Sequence, residues 1–333
     1  MKRFEPADLL RHPPFSNPSW LTAIACAAAL ISCGGAQAQT CSASVGNGTY
    51  GAVAVLSGSA KTGTTSMTVS CAGKNNRTVR VCVELPPGTV SAGGQRIMAG
   101  SGASLTHEIF SDAGGAQVWG SWGLTGAAYG SGGVQVDLKL APGSGTASQV
   151  LTVYDAISAS QTTALPGNYV WTGTAPGLSY TYLDTRSCPL TGAQQISASA
   201  WTWSASVAPN CLIQVSDVNF GTTTGLSVGA NGAGRIDLWC TRTTAYIVSL
   251  DGGMAQAASP LSRLMSKGPT GITYGLYSDA ALTQGWGWTD GRDTLSGTGT
   301  GTVQSLTVYG RISAQQTPET GLYSDRVVVS LTY

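Results

Sequence analysis

Few residues of this chain have the types and spacing that catalysis or metal binding requires. Only two of the 333 residues are histidines, so the commonest general base and metal ligand is scarce. His107, Glu108 and Asp112 are close in sequence, but His107 and Glu108 would point to opposite faces of a strand. Asp290 and Asp293 flank a Gly-Arg turn rather than forming a recognisable carboxylate pair. We therefore predict no catalytic residue, no metal and no cofactor.

The composition argues against a nucleic-acid partner. The chain has 17 Lys and Arg residues against 16 Asp and Glu residues, and only 10% of its residues are charged. Nucleic-acid binding depends on clustered basic charge, which this balance does not supply. The 45 glycines, with abundant Ser and Thr, favour turn-rich β-structure over long helices.

The first 38 residues have the pattern of a signal peptide. A basic start precedes an apolar run at 20–31, and Ala-Gln-Ala at 36–38 fits a signal-peptidase site. The run is shorter than the roughly 20 residues that a transmembrane anchor needs. The alternative is a lipoprotein, because the sequence around Cys33 resembles a lipoprotein box that would leave Cys33 lipidated. Both interpretations predict an exported protein.

The cysteines outside this leader are even in number, which indicates disulfide bonds in an exported chain. They are Cys41, Cys71, Cys82, Cys188, Cys211 and Cys240. No CxxC pair occurs, so a zinc site or a thioredoxin-like redox motif has little support. Many connectivities are possible, and an internal repeat selects among them. It predicts Cys41 with Cys71 and Cys211 with Cys240, which leaves Cys82 with Cys188.

That repeat consists of motifs that recur in the same order in two parts of the chain. Cys41 and Cys71 are 30 residues apart, and Cys211 and Cys240 are 29 apart. The other matches are Tyr50-Gly51 with Phe220-Gly221, Arg96-Ile97-Met98 with Arg263-Leu264-Met265, 105–112 with 272–279, Trp119-Gly120 with Trp286-Gly287, 151–154 with 306–309, and Gly167 and Tyr169 with Gly321 and Tyr323. This order indicates two homologous domains, each with its own core.

Within both copies, apolar residues alternate with polar ones, as in strands that bury one face. The clearest examples are at 79–85, 134–140 and 327–333. Turn-forming Gly, Ser and Thr clusters separate them, so we predict an all-β protein with two β-sandwiches. The uncharged stretch 189–210 marks a boundary. The predicted organisation is a signal peptide at 1–38, a first domain at 39–205 and a second at 206–333.

A specific set of motifs runs through the second copy. It consists of Cys211, Phe220-Gly221, Cys240-Thr241, Arg263-Leu264-Met265, 274–279, Trp286-Gly287, 306–312, 321–325 and the alternating strand at 327–333. With these motifs, residues 211–333 resemble the spore coat protein U domain. The first copy is a divergent relative, with His107-Glu108 where the family has Tyr-Gly. The family includes secreted pilins of the archaic chaperone–usher pathway. The resemblance implies immunoglobulin-like subunits that lack one strand and accept a donor strand from a neighbouring subunit.

Cleavage after residue 38 would leave two residues before Cys41, which span roughly 7 Å and are too short for a donor strand. We therefore expect a subunit that accepts a donor without giving one, as a tip adhesin does. Its first domain would complete its own sandwich with the strand-like region 178–205. The donor-strand groove of the second domain would be bordered by Val327, Val329, Leu331 and Tyr333. Such an apolar edge would need a periplasmic chaperone, and assembly would need an outer-membrane usher.

Aromatic and aliphatic residues in glycine-rich stretches of the first copy are candidates for contact with an adhesion target. They are Trp122, Leu124 and Tyr129 in one stretch and Trp171, Leu178 and Tyr180 in another. Trp201 and Trp203 form a third group. Burial in the core is the alternative for each of them. Trp119 matches Trp286 in the repeat, and we expect it to be structural.

The function that we predict is a non-enzymatic, adhesive subunit of an archaic chaperone–usher pilus, exported through the periplasm to the cell surface. The tip adhesin, which mediates attachment and biofilm formation, fits best. One alternative is a minor shaft subunit or a secreted, spore-coat-like structural protein. Another is a β-sandwich carbohydrate-active enzyme that uses Asp290 or Asp293.

Overall fold

The computed structural model describes residues 39–88, 95–122, 132–190, 194–195 and 200–333. These residues form twenty β-strands arranged in four sheets. No helix in the described part of the chain has the length and apolar character needed to cross a membrane. The predicted signal peptide, with Cys33 of the lipoprotein alternative, lies outside the described residues.

Two sheets formed by the first part of the chain enclose one core. Their strands are β1 (Thr40–Val45), β2 (Gly48–Ala52), β3 (Lys61–Ala72), β4 (Thr78–Glu84), β5 (Arg96–Gly100), β6 (Ala103–Phe110), β7 (Val134–Lys139), β8 (Thr146–Ile157), β9 (Gly167–Gly173), β10 (Gly177–Tyr182), β11 (Gln194–Gln195) and β12 (Trp201–Val207). One sheet has the order β1-β3-β8-β6-β5-β9-β12-β2, and the other has the order β11-β10-β4-β7. We call this unit the first sandwich.

The second part of the chain repeats this arrangement with fewer strands. They are β13 (Cys211–Val215), β14 (Ala230–Cys240), β15 (Ala245–Leu250), β16 (Arg263–Lys267), β17 (Thr270–Tyr277), β18 (Leu295–Thr298), β19 (Gln304–Ile312) and β20 (Val329–Thr332). The sheets have the orders β13-β14-β19-β17-β16 and β18-β15-β20. We call this unit the second sandwich. It has its own cluster of buried residues, separate from that of the first.

Alternation of side chains explains why these segments are strands. In β12 the burial pattern alternates strictly between buried and half-buried residues along all seven positions. In β4, Val79, Val81 and Val83 are fully buried. A strand places successive side chains on opposite faces, so an apolar residue at every second position covers one side of a core. The prediction of an all-β protein with two sandwiches is confirmed.

All three predicted disulfide bonds are present. Cys41 pairs with Cys71, Cys82 with Cys188, and Cys211 with Cys240. The first and third join opposed residues of neighbouring antiparallel strands, β1 with β3 and β13 with β14. The second ties β4 to the segment after β10. The last strand of the first sandwich ends at Val207, two residues beyond the predicted domain boundary, and β13 begins at Cys211.

Candidate functional site

An open groove runs into the core of the second sandwich. Its volume is about 1360 Å³, and it lies between the segments 215–227 and 315–325. The inner wall is apolar and comes from both sheets: Ile236, Leu250, Met265, Ile272, Leu276 and Val308 line it. Folded proteins normally fill an apolar recess that reaches their core, because burying its apolar surface stabilises the fold.

The alternating C-terminal segment forms part of this groove. Val327 and Val329 line its wall, and both are half-buried against the core. Leu331 packs against the same core but does not line the groove. Tyr333 is 55% exposed, and its hydroxyl lies 3.3 Å from Oδ1 of Asn210. Val327 and Val329 thus line this groove and Leu331 and Tyr333 do not, and the role of all four as the border of a donor-strand groove stays a prediction.

In the first sandwich the equivalent space is filled by β12. This strand pairs antiparallel with β9 along the whole of β9 and parallel with β2. It directs Trp201, Trp203, Ala205 and Val207 into the core, where each is at most 5% exposed. The first sandwich is thus completed by a strand of the same chain.

Two hydrogen bonds establish that residues 321–327 correspond to β9. The hydroxyl of Tyr169 donates to the carbonyl of Leu165, and the hydroxyl of Tyr323 donates to the carbonyl of Glu319, four residues back in both cases. Within residues 200–333, no strand pairs with residues 321–327 in the way that β12 pairs with β9. Within 200–333, which the structure describes throughout, this segment forms a single β-bridge, between Ser324 and Ser266.

One polar pair interrupts the apolar wall of the groove. The hydroxyl of Tyr274 donates a 2.7 Å hydrogen bond to Oδ2 of Asp325, and Oδ1 of Asp325 accepts from the backbone N–H of Met254 and of Arg326. Burial, and next the hydrogen bond to Asp325, raise the pKa of Tyr274 above its ordinary range. The phenol therefore stays protonated and keeps donating to the carboxylate.

Each sandwich contains a buried arginine. The repeat indicates that the two arginines are equivalent, but it does not show what they bind. The guanidinium of Arg263 donates to the carbonyls of Leu250, Asp251, Pro260 and Trp286. Arg263 is completely buried, and this burial lowers its pKa. Arg96 occupies the same place in the first sandwich.

The guanidinium of Arg96 donates to the carbonyls of Leu85 and Trp119 and contacts the carboxylate of Glu108. The indole N–H of Trp119 donates to Val83, as that of Trp286 does to Val248. Trp119 is 1% exposed, so its expected structural role is confirmed. These residues hold the two sheets of each sandwich together, because carbonyls of one sheet bind a guanidinium or an indole from elsewhere in the fold.

The strand prediction for His107 holds, but the histidine has a partner that sequence spacing did not reveal. Nδ1 of His107 lies 3.0 Å from both carboxylate oxygens of Asp155, and neither side chain is exposed. Asp155 is on β8, which pairs with β6 beside His107. Burial, with the nearby Asp155 second, raises the pKa of Tyr50. A fully buried pair has no access to substrate, so it serves the fold.

Three of the predicted target-contact residues are core residues instead. Trp171 and Leu178 are 1% exposed and Tyr180 is 4% exposed, which corrects the prediction of surface contact. Their strands β9 and β10 turn these side chains inward, and the Trp171 ring packs edge-on against Trp201. Trp201 and Trp203 are buried in the same way. Glycines beside these rings provide space for large aromatic side chains rather than exposing them.

The other predicted contact stretch is described only in part. Trp122 is half-buried, and its indole lies against Gly132 and Gly133. Leu124 and Tyr129 lie outside the described residues. A role of Trp122 in target contact stays a prediction. Asp293 accepts a hydrogen bond from the backbone N–H of Thr289, as expected for a turn, and Asp290 is exposed.

The chain is similar to known proteins both in its sequence motifs and in its fold. The profile of the family described as Spore Coat Protein U domain matches residues 27–175 and 197–330. Protein U of Myxococcus xanthus is 30% identical over 128 residues, which cover 35% of this chain and 71% of that protein.

One chain in the crystal structure of the CsuC–CsuE chaperone-tip adhesion subunit pre-assembly complex, from archaic chaperone–usher Csu pili of Acinetobacter baumannii, superposes with a TM-score of 0.50 and 18% identity. The superposition covers 88% of this chain and 100% of that chain. At this identity the likeness shows a shared fold. The family match covers both copies of the repeat. The chain belongs to the spore coat protein U domain family.

Proposed function

We propose that this chain is the tip adhesin of an archaic chaperone–usher pilus, with no enzymatic activity. In this proposal the second sandwich receives a donor strand from a neighbouring pilin, and the first sandwich is the outer, target-binding domain. The observation that carries the proposal is the contrast between the two sandwiches. One has its β12 position filled by its own chain, and the other has an open groove of about 1360 Å³ with an apolar inner wall at the same place.

This contrast supports a subunit with one site for subunit attachment. A sheet edge with unpaired N–H and C=O groups beside an apolar recess is what β-strand addition requires, because backbone hydrogen bonds give affinity and pockets receive alternate side chains. The same surface is prone to aggregation before assembly. We therefore infer that a periplasmic chaperone covers it until an outer-membrane usher exchanges the chaperone for the neighbouring subunit. The Csu complex, which pairs a chaperone with a tip subunit of similar fold, supports this assignment.

Immunogold electron microscopy of intact cells, with an antibody to residues 39–190, tests the position in the fibre. We expect single gold grains at fibre ends. Labelling along the fibres would contradict the tip assignment and favour a shaft subunit. Labelling of cell surfaces without fibres would favour a coat-like structural protein, an alternative that the description of the family, Spore Coat Protein U domain, supports.

A matched pair of variants tests the role of the groove in the same cells. Val329→Asp would place a charge in the groove wall, and we expect surface labelling to fall at least tenfold because the subunit no longer joins the fibre. Val303→Asp is the control, since Val303 is 60% exposed and does not line the groove. Equal labelling of the two variants would contradict attachment through the groove.

A further inference from the structure

The first sandwich shows which side chains of a closing strand fit between β9 and β2. Each of the two tryptophans of β12 lies against a glycine. Trp203 is opposite Gly48 of β2, where an added Cβ atom would overlap the indole. Trp201 is opposite Gly173 of β9, where an added Cβ atom would lie 2.5 Å from the ring of Trp171 and 2.7 Å from the indole nitrogen of Trp201. The two rings fit because these positions have no side chains.

The second sandwich has valines at both of these places. A backbone hydrogen bond links Gly46 to Ser66, and the equivalent bond links Ser216 to Arg235. Counting two residues on from Gly46 and Ser216 gives Gly48 and Val218 as equivalent positions. The side chain of Val218 lies against Gly234 and Gly310 and lines the groove.

The second valine follows from the equivalence of β9 and 321–327. Val170 pairs with Ala99, and Ser324 forms the matching bridge with Ser266. Three residues further on are Gly173 and Val327. Val327 is half-buried against the core and lines the groove. Both places that accommodate an indole in the first sandwich are thus occupied by branched side chains in the second.

A third difference between the two sandwiches concerns the residue that lies in the groove between Val218 and Val327. Trp171, the cross-strand neighbour of Trp203, corresponds to Asp325. Trp171 packs against His107, whereas Asp325 accepts a hydrogen bond from Tyr274, the equivalent of His107. The ring of Phe220 packs edge-on against Tyr274 and covers Gly232, as Trp203 itself covers Gly63 in the first sandwich. Phe220 keeps the position that Tyr50 has beside Gly63, and the smaller Asp325 stands where Trp171 does, so the restriction on size comes from Val218 and Val327.

We propose that the groove selects a donor strand by size: it accepts an extended strand in the orientation of β12, antiparallel to 321–327, but only with small or β-branched residues at the two positions that β12 fills with tryptophan. This inference rests on the proposed function, because it assumes that a strand fills the groove. Selection against tryptophan keeps one copy of the chain from capturing the β12 segment of another copy. Discrimination of this kind arises from steric clashes with the wrong partner as well as from contacts with the right one.

Two synthetic peptides test the proposal against the full chain with its disulfide bonds intact. The first is residues 200–208 with the natural sequence, and the second carries Trp201→Val and Trp203→Val. Fluorescence anisotropy of dye-labelled peptides gives both dissociation constants. We expect the valine peptide to bind at least tenfold more tightly. A peptide with the same composition in scrambled order is the control for nonspecific apolar binding.

The chain itself offers a reciprocal test. In a Val218→Gly, Val327→Gly double variant, the two indole positions are reopened, and we expect the natural peptide to gain at least tenfold in affinity. Fusing each strand after Tyr333 through a flexible linker provides a second measurement, because tethering raises the effective concentration of the strand. The unfolding temperature of the second sandwich then reports whether the groove is filled.

The outcomes distinguish this inference from the function on which it rests. Equal binding of both peptides, or tighter binding of the natural peptide by the unaltered chain, would overturn size selection while leaving the groove as a strand acceptor. If neither peptide binds and neither fusion raises the unfolding temperature, the groove does not accept strands of this kind. That result would overturn both the inference and the proposed mode of subunit attachment.

Discussion

At the scale of single residues, one arginine performs the same structural role in both copies. Arg96 and Arg263 are at most 1% exposed, and each binds backbone carbonyls, that of Leu85 just after β4 and that of Leu250 on β15. A planar guanidinium can donate to several carbonyls at once, which a lysine ammonium does with less directional fit. The repeat identified these residues as equivalent, but only the folded structure shows the carbonyls that they bind, since the fold brings together carbonyls that are 3 to 23 residues away in the sequence.

The buried pair of His107 and Asp155 provides a residue-level prediction. Asp155→Ala leaves His107 without its carboxylate partner in a site closed to water. We expect the free energy of unfolding of the first sandwich to fall by about 3–5 kcal/mol, as for other buried pairs that lose one member. Urea unfolding followed by tryptophan fluorescence measures this change.

A more exposed carboxylate of the same sandwich is the matched control for that measurement. Asp137 pairs with Arg80 at 2.7 Å, and its side chain is 34% exposed. The pKa of Asp137 is lowered, chiefly by the hydrogen bond from Arg80. We expect Asp137→Ala to cost about 0–1 kcal/mol, since solvent screens such pairs. Equal costs for the two substitutions would show that the buried pair contributes nothing beyond a surface ion pair.

At the scale of elements, β12 decides whether a sandwich is closed. We predict that Trp203→Ala lowers the free energy of unfolding of the first sandwich by about 3–5 kcal/mol, because it leaves a cavity in a fully buried site. Thr202→Ala on the same strand is the control. Thr202 is half-buried on the other face, and we expect a change of about 0.5 kcal/mol or less. Thermal or urea unfolding of both variants checks this, and similar losses would contradict a special role for the inward face.

The strand that closes the first sandwich also shows how far sequence reasoning reached. The alternation in 178–205 indicated strands that could complete this domain, and the structure has β10 and β12 there. The sequence also makes Trp171, Trp201 and Trp203 candidates for surface contact, because stretches rich in small residues and free of charge are typical of exposed loops. Gly48 and Gly173 instead provide room for buried rings. Gly48 is distant from Trp203 in the sequence, and Gly173 lies on the strand that pairs with β12. Local composition therefore does not reveal the packing.

At the scale of the whole molecule, the disulfides divide between the two sandwiches. Cys82–Cys188 closes a loop of 106 residues within the first sandwich, while Cys211–Cys240 closes one of 29 residues in the second. We predict that Cys82→Ala with Cys188→Ala lowers the stability of the first sandwich by about 2–5 kcal/mol, because the unfolded chain gains conformational freedom. We expect the second sandwich to keep its stability.

Hydrogen exchange measured by mass spectrometry separates the two effects, because it reports protection of individual segments. Protection of β4 should fall in this variant while that of β14 is unchanged. Cys211→Ala with Cys240→Ala should give the reverse pattern. Loss of protection in both sandwiches from either double substitution would contradict the assignment of separate cores.

The sequence by itself determined the all-β class, the two copies, the disulfide partners and the family. These features depend on local alternation of polar and apolar residues and on motifs that recur in order, both of which are visible without coordinates. Only the tertiary structure decided which apolar residues are exposed, where Leu331 and Tyr333 lie relative to the groove, and that His107 meets Asp155. These properties depend on contacts between residues far apart in the chain. The valines at 218 and 327 acquire their meaning in the same way, because their effect on the groove exists only when the two segments that carry them face each other across it.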